Sequence, residues 1–220
     1  SVAGITVGVI ALIVVLAVFS GFPDGLRDQI LGVNSHIIVQ RMGGTIQEYE
    51  LTRERIRTVS DVTGSTPYLF SQTLLSSASS GTGVVLRGIE PATAKSVISL
   101  PNQMTVGTID DLVTDPTSGI PNVILGKNLA QDLRVRVGDR VKLISPSGPL
   151  TPMGVIPKIK TCRISGIFET GMFEYDSTLA YMSIGDVQSF LGIGDVVHGI
   201  EVAVKKSELN NAGKIATQIT

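Results

Sequence analysis

The first 22 residues, SVAGITVGVIALIVVLAVFSGF, contain no charged side chain, and Val, Ile, Leu and Ala dominate them. At about 1.5 Å of rise per residue such a run makes roughly 30 Å of helix, the thickness of a bilayer's hydrocarbon core. A secretory signal peptide competes for the same residues, and AVFSG carries a faint cleavage-site pattern. That alternative requires a basic leader and a shorter apolar run, and the chain opens on serine rather than methionine. The expectation is a membrane-spanning helix over residues 1–22, in a segment of a larger protein. Gly4 and Gly8 stand one turn apart, a spacing that lets a second helix approach closely, although glycine is also simply common in membrane helices.

After Pro23 the chain changes character. DGLRDQILGV places Leu26, Ile30 and Leu31 at helical spacing between charges, which predicts a short amphipathic stalk helix over 23–35. Over 36–220 strand-like and helix-like stretches alternate. HIIVQRM reads as a strand, and TIQEYELTRERIRTVS as a helix with an acidic first turn and a basic last one, as the helix dipole favours. VTGSTPYLFSQTLLSS reads as strand, with Pro67 favouring an edge or bulge. GTGVVLRGIEPATAKSV gives a strand and then a helix starting near Pro91, a good first-turn residue. NVILGKNLAQDLRVRVGDRVKLIS, TLAYMSIGDVQSFLG and GIEVAVKKSELNNAGKIATQ repeat the strand-then-helix order. Such units around mixed sheets make an α/β or α+β domain. Between them, residues 98–122 are rich in Pro, Gly, Thr and Asp and read as a smaller lobe or long excursion.

The chemistry of the side chains excludes several functions. The net charge is −1 and the basic residues are scattered, so there is no electrostatic footprint for nucleic acid. The single cysteine, Cys162, has no partner for an intrachain disulfide and reads as a small strand residue. His36 and His198 fall at strand edges, outside any metal-ligand or nucleophile spacing. GTGVVLRG lacks the lysine and hydroxyl residue of a phosphate-cradling loop, so a nucleotide that drives this protein is bound by another chain. Glu169, Glu174 and Asp176 in FETGMFEYDS offer three carboxylates, but a hard-cation loop needs more oxygen donors, and a solvated hairpin is the expectation.

One stretch asks for a partner. PSGPLTPMGVIPKIK, residues 146–160, holds prolines at 146, 149, 152 and 157 together with Leu150, Met153 and Ile156. Strand-like DRVKLIS and KIKTCRISGIF on either side would project it as a long hairpin. Proline restricts φ and lowers the entropy lost when a partner orders the loop, and an exposed apolar tip marks an interaction site. Lys142, Lys158 and Lys160 form a basic collar suited to steering an acidic partner. The same loop could instead fold back as a lid over its own domain, and composition does not choose between the two.

The opening apolar run with LRDQILGVNSHIIV, followed in order by GKNLAQDLRVRVGDRVKL, TPMGVIPKIK and GIFETGMFEYDSTLAYMSIGDVQ, resembles the permeases of lipoprotein-releasing ABC transporters, the LolC/LolE family within the MacB-like superfamily. The resemblance covers nearly the whole chain. It implies an α+β architecture, with an N-terminal transmembrane helix followed by a two-lobed periplasmic domain of strand–helix units carrying an inserted β-rich lobe. It implies a bacterial inner-membrane permease that is not itself an enzyme and holds no cofactor, with ATP and Mg on a separate cytoplasmic ATPase subunit. The other implied partners are a second permease copy or paralogue, the membrane, the lipoprotein substrate, and a soluble LolA-like periplasmic carrier. On the same grounds Pro146, Pro149, Leu150, Thr151, Pro152, Met153, Gly154, Ile156 and Pro157 match a carrier-docking hook over 146–157, and Lys142, Lys158 and Lys160 match its basic pad. Val155 and Ile159 depart from the family pattern, standing where basic and polar residues are usual. Apolar residues of the first span, such as Ile10, Leu12, Val14 and Phe19, fit an acyl-chain cavity and fit plain lipid contact equally well. Two alternatives remain: a MacB-type mechanotransmission permease for efflux, and a membrane-tethered sensor domain.

Overall fold

The computed structural model describes residues 2–16, 35–114, 119–146, 148, 150–151, 154–205, 207–208 and 212–219, with backbone alone at 150, 151, 155, 214 and 217–219. The chain divides into two compact units, Ser1–Asn34 and Ser35–Thr220.

In the first unit, residues 2–16 form helix α1, whose apolar side chains, Ile5, Ile10 and Leu16 among them, are exposed. A Cβ built on Gly4 or Gly8 meets nothing within 4 Å. Among the described residues no helix is long and apolar enough to cross a membrane. The remainder of the expected 1–22 span, Phe19 included, and the 23–35 stalk up to Asn34 lie outside the described residues.

The second unit is built on one nine-stranded sheet. Its strands are β1 (Ile37–Gln40), β2 (Val62–Ser76), β3 (Gly81–Ile89), β4 (Met104–Val106), β5 (Asn122–Gly126), β6 (Arg140–Ser145), β9 (Lys158–Phe168), β10 (Leu179–Ser183) and β11 (Gly199–Val204). They run in the order β1-β11-β2-β3-β10-β5-β9-β4, and β6 pairs with both β2 and β9. Strands β2, β3, β10, β5, β9 and β6 therefore close a circuit in which each is hydrogen-bonded to two neighbours. The β3–β10 and β5–β9 pairs are parallel and the others in the circuit antiparallel. Closure removes sheet edges that would otherwise invite pairing with other chains.

The largest buried cluster gathers Leu69, Leu86, Leu125, Leu143 and Ile164 from the strands with Leu129 and Leu133 of α5 (Lys127–Leu133) and Val187 and Phe190 of α7 (Ile184–Leu191). Helix α7 is well delimited: the Ser183 hydroxyl accepts from the Asp186 N–H at 3.2 Å, and Gly192 ends it in the left-handed region at φ 68°. A second cluster sets Leu100, Ile109 and Leu112 of the 98–122 excursion against Ile89, Ile124, Phe168 and Tyr181. That excursion contributes helix α4 (Leu100–Gln103), strand β4 on the free side of β9, and a 3₁₀ turn, Ile109–Leu112. A third cluster joins Ile37, Ile200 and Val202 to Ile56 of α2 (Tyr49–Arg57) and Ile215 of α8 (Ala212–Ile219). Helix α2 carries Glu50 in its first turn and Arg55 and Arg57 in its last, as expected. It starts later than Thr45 because Ile46 exchanges backbone hydrogen bonds with Val197, at 2.8 and 3.0 Å.

Pro67 corrects one expectation. It lies in neither an edge strand nor a bulge, but in β2 between β11 and β3, in register with Ile200. The Tyr68 carbonyl accepts from the His198 N–H on the β11 side, so by the alternation of an antiparallel ladder the Pro67 nitrogen faces the β3 side. The β2–β3 pairing ends at Tyr68 opposite Ile89, one residue short of Pro67. The missing donor costs nothing where there is no ladder to join.

Candidate functional site

The stretch 146–157 is carried by the antiparallel pair β6–β9, in register from Arg140 opposite Arg163 to Ser145 opposite Lys158. Beyond it, Leu150–Thr151 (β7) pairs with Gly154–Val155 (β8), Leu150 opposite Val155 and Thr151 opposite Gly154. Pro146, Ile156 and Pro157 are exposed, Ile156 at 55%. Pro149, Pro152 and Met153 lie outside the described residues, and of Leu150, Thr151 and Val155 only the backbone is described. Two glycines are required here. A Cβ on Gly148 would lie 1.6 Å from the Ile156 carbonyl oxygen, so the two sides of the loop cross at a distance only glycine permits. Gly154 has φ +113°, a conformation L side chains avoid.

The register separates the three lysines. Residues directly opposite in an antiparallel pair share a face and successive residues alternate. Lys160 opposite Leu143, and Lys158 opposite Ser145, stand on the face of buried Val141 and Cys162. Lys142 stands on the other face, with Ile144 and Ile159. Lys142 and Lys160 are exposed, whereas Lys158 is half-buried and donates to the Leu191 carbonyl at the end of α7. The collar is thus two exposed cations on opposite faces plus one held against the domain.

The remaining sequence candidates serve the fold. The Asp176 carboxylate accepts from the Thr170 N–H at 2.8 Å, the Thr170 hydroxyl at 2.9 Å and the Gly171 N–H at 3.2 Å, closing the loop before α6 (Phe173–Thr178). Glu169 pairs with Lys127 at 2.7 Å. Among the described residues no group of three or more His, Cys, Asp or Glu could hold a metal ion. The His36 Nδ1 accepts from the Val204 N–H at 3.1 Å, and the His198 Nδ1 from the Phe70 N–H at 3.0 Å. Burial lowers the His198 pKa from its usual 6.5. Cys162 is fully buried, and burial, with the Asp186 charge adding to it, pushes its thiol up to about 12.

Sequence reasoning missed a cavity of about 550 Å³ at the base of the loop, whose lining includes Leu74, Gly83, Val85, Ile144, Pro146 and Pro157. Its floor comes from register: Leu74 of β2 is opposite Gly83 of β3 on one side and Ile144 of β6 on the other, and Ile144 is opposite Ile159 of β9. The signal in the sequence was LL at 74–75: alternation in a strand sends one of them outward, and Leu74 is accordingly 43% exposed while Leu75 is buried at 0%, an apolar side chain on an outer face.

The chain is 34% identical over 202 residues to the lipoprotein-releasing system transmembrane protein LolC of Neisseria meningitidis serogroup B, covering 92% of this chain and 48% of that one. It is 33% identical over 219 residues to LolC of Xylella fastidiosa strain Temecula1, covering 100% of this chain and 51% of that one. The chain spans about half the length of these curated relatives. In fold it is similar to the periplasmic region of MacB from Actinobacillus actinomycetemcomitans, with a TM-score of 0.54 at 14% identity over 83% of this chain and 80% of that one. The profile of the MacB-like periplasmic core domain matches residues 1–218, and the chain belongs to that family.

Proposed function

We propose that this chain is part of a permease of a lipoprotein-releasing ABC transporter, and that its 146–157 hairpin docks a soluble carrier which receives the lipoprotein. The observation that carries the reading is the proline-bounded hairpin on β6 and β9 in a chain about one-third identical to LolC over nearly its full length. In this reading residues 1–22 span the bacterial inner membrane, 23–35 form the stalk, and 36–220 form the periplasmic domain, with the 98–122 excursion as its smaller inserted lobe. The chain does no covalent chemistry. A cytoplasmic ATPase subunit holds ATP and Mg, and a second permease copy or paralogue completes the membrane part. Lifting acyl chains out of a bilayer costs about 0.8 kcal/mol per CH₂ exposed to water, so an acceptor held at the exit lowers the barrier to release. Leu150, Pro152, Met153 and Ile156 supply the apolar grip, and Lys142 and Lys160 steer the carrier from either face of the stem.

Photo-crosslinking from position 153 in the assembled transporter, with the carrier from the same organism, tests the reading. A crosslink to the carrier, together with loss of carrier capture in Met153→Asp, supports docking. Equal capture by wild type and Met153→Asp sinks it. The likeness to MacB favours a second reading, a mechanotransmission permease for efflux. Such a permease contacts an adaptor and has no use for the hairpin, so ATP-dependent lipoprotein release from proteoliposomes separates the two.

A further inference from the structure

We infer that the cavity at the root of the hairpin is a binding site for a single unbranched acyl chain. This rests on the lipoprotein-release reading and adds to it a place on the domain itself where lipid sits. The cavity's volume, about 550 Å³, falls in the roughly 300–1,000 Å³ range of small-ligand sites. Among the described residues no charged side chain lines it, and the lining residues with hydrogen-bonding side chains are Gln72, Thr73 and Thr178. A ligand seated there is uncharged over the buried part of its length and asks for little hydrogen bonding, which describes a hydrocarbon chain better than a peptide, whose backbone amides need partners.

The way the cavity is made supports the assignment. Leu74, Ile144 and Ile159 lie side by side across β2, β6 and β9, an apolar row on the Lys142 face, with Leu74 at 43% and Ile159 at 60% exposure. At the far end of the row stands Gly83, where a side chain would ordinarily cover Leu74. A Cβ there meets nothing within 4 Å, so no close packing calls for glycine at this position. Its absent side chain leaves room above an apolar floor. Pro146 and Pro157, the two ends of the proposed docking hairpin, also line it. A chain bound in the cavity lies beside the carrier's docking point, and handover then needs only a short passage through water.

Gly83→Leu adds an apolar side chain at a position where a Cβ meets nothing within 4 Å, and Leu74→Gln makes the exposed floor polar. The experiment loads the assembled transporter in lipid nanodiscs with a 16-carbon fatty acid bearing a terminal diazirine, irradiates it, and maps adducts by peptide mass spectrometry. Adducts are expected on peptides containing Leu74 and Ile144, reduced at least about tenfold in both variants, with adducts in residues 2–16 unchanged as an internal reference. The absence of adducts on these strands, or adducts equal in wild type and both variants, overturns the inference. Carrier capture is scored on the same samples. Lost adducts in wild type with capture intact remove the cavity site alone, whereas normal capture by Met153→Asp removes the docking reading whatever the adducts show.

Discussion

Arg87 of β3 and Glu201 of β11 form an ion pair although β2 runs between their strands, with the two side chains 11% and 3% exposed. The guanidinium also lies 6.0 and 5.9 Å from the ring centroids of Tyr68 and Tyr181. Breaking a buried pair leaves a charge without a partner in a poorly solvated place, so Glu201→Ala should cost about 3–5 kcal/mol. Replacing both partners by apolar residues, Arg87→Met with Glu201→Leu, should cost clearly less. Denaturant unfolding of the two variants checks this, and an equal loss in both would mean that shape rather than charge sets the cost.

His198 should make stability depend on pH. Its folded pKa is lowered by burial, so as pH falls through 6.5 the unfolded chain takes up the proton before the folded one does. The contribution is full above 6.5 and is lost as pH drops through the lower, folded value. Protonation also removes the Nδ1 lone pair that accepts from the Phe70 N–H. In His198→Asn, thermal unfolding followed between about pH 7 and pH 5 should fall less steeply than in wild type. Parallel slopes would contradict the assignment.

Cys162 should resist maleimide in the folded protein and react on unfolding. It is buried, and its thiol is held far above neutral pH, so both access and thiolate are lacking. Rapid labelling under native conditions would show that β9 opens locally.

Gly148→Ala should damage the hairpin while sparing the domain. The added methyl would fall on the Ile156 carbonyl, and the two sides of the loop must part to admit it. On the proposed docking role, carrier capture should drop about tenfold or more while the unfolding transition shifts by less than about 1 kcal/mol, because the affected contacts lie outside the three buried clusters. Unimpaired capture would show that the closed form of the loop is not the one that docks.

Most of the framework was legible in local pattern. Pro91 opens α3 (Pro91–Ala94) because a first-turn residue needs no N–H, and GIEVAV, which reads as a strand, is β11, with all six residues buried. What local pattern lacks is knowledge of neighbours. Pro67 reads as an edge or bulge signal, and only the length of β3 shows that its nitrogen faces past the end of the ladder. Lys142, Lys158 and Lys160 look like one collar in the sequence; period-two alternation puts the first on one face and the other two on the opposite face. The carboxylates of FETGMFEYDS read as a solvated hairpin, whereas Asp176 is buried in α6 and closes its own loop, and Glu169 reaches Lys127. The cavity was the least visible feature, because it is made by Gly83, Leu74 and Ile144, which come from three strands and meet only through register.

The double pairing of β6 has a mechanical meaning. The hairpin is the continuation of β6 and β9, and each of these strands is also bonded to a further one, β6 to β2 alongside residues 142–144 and β9 to β5 from Arg163 onward. Ladder bonds in antiparallel pairs run perpendicular to the strands, so a tug on the hairpin along its axis strains the β2–β6 bonds together, in shear, instead of peeling them one at a time. A partner that grips residues 146–157 therefore pulls on a closed hoop of six strands rather than on a flap.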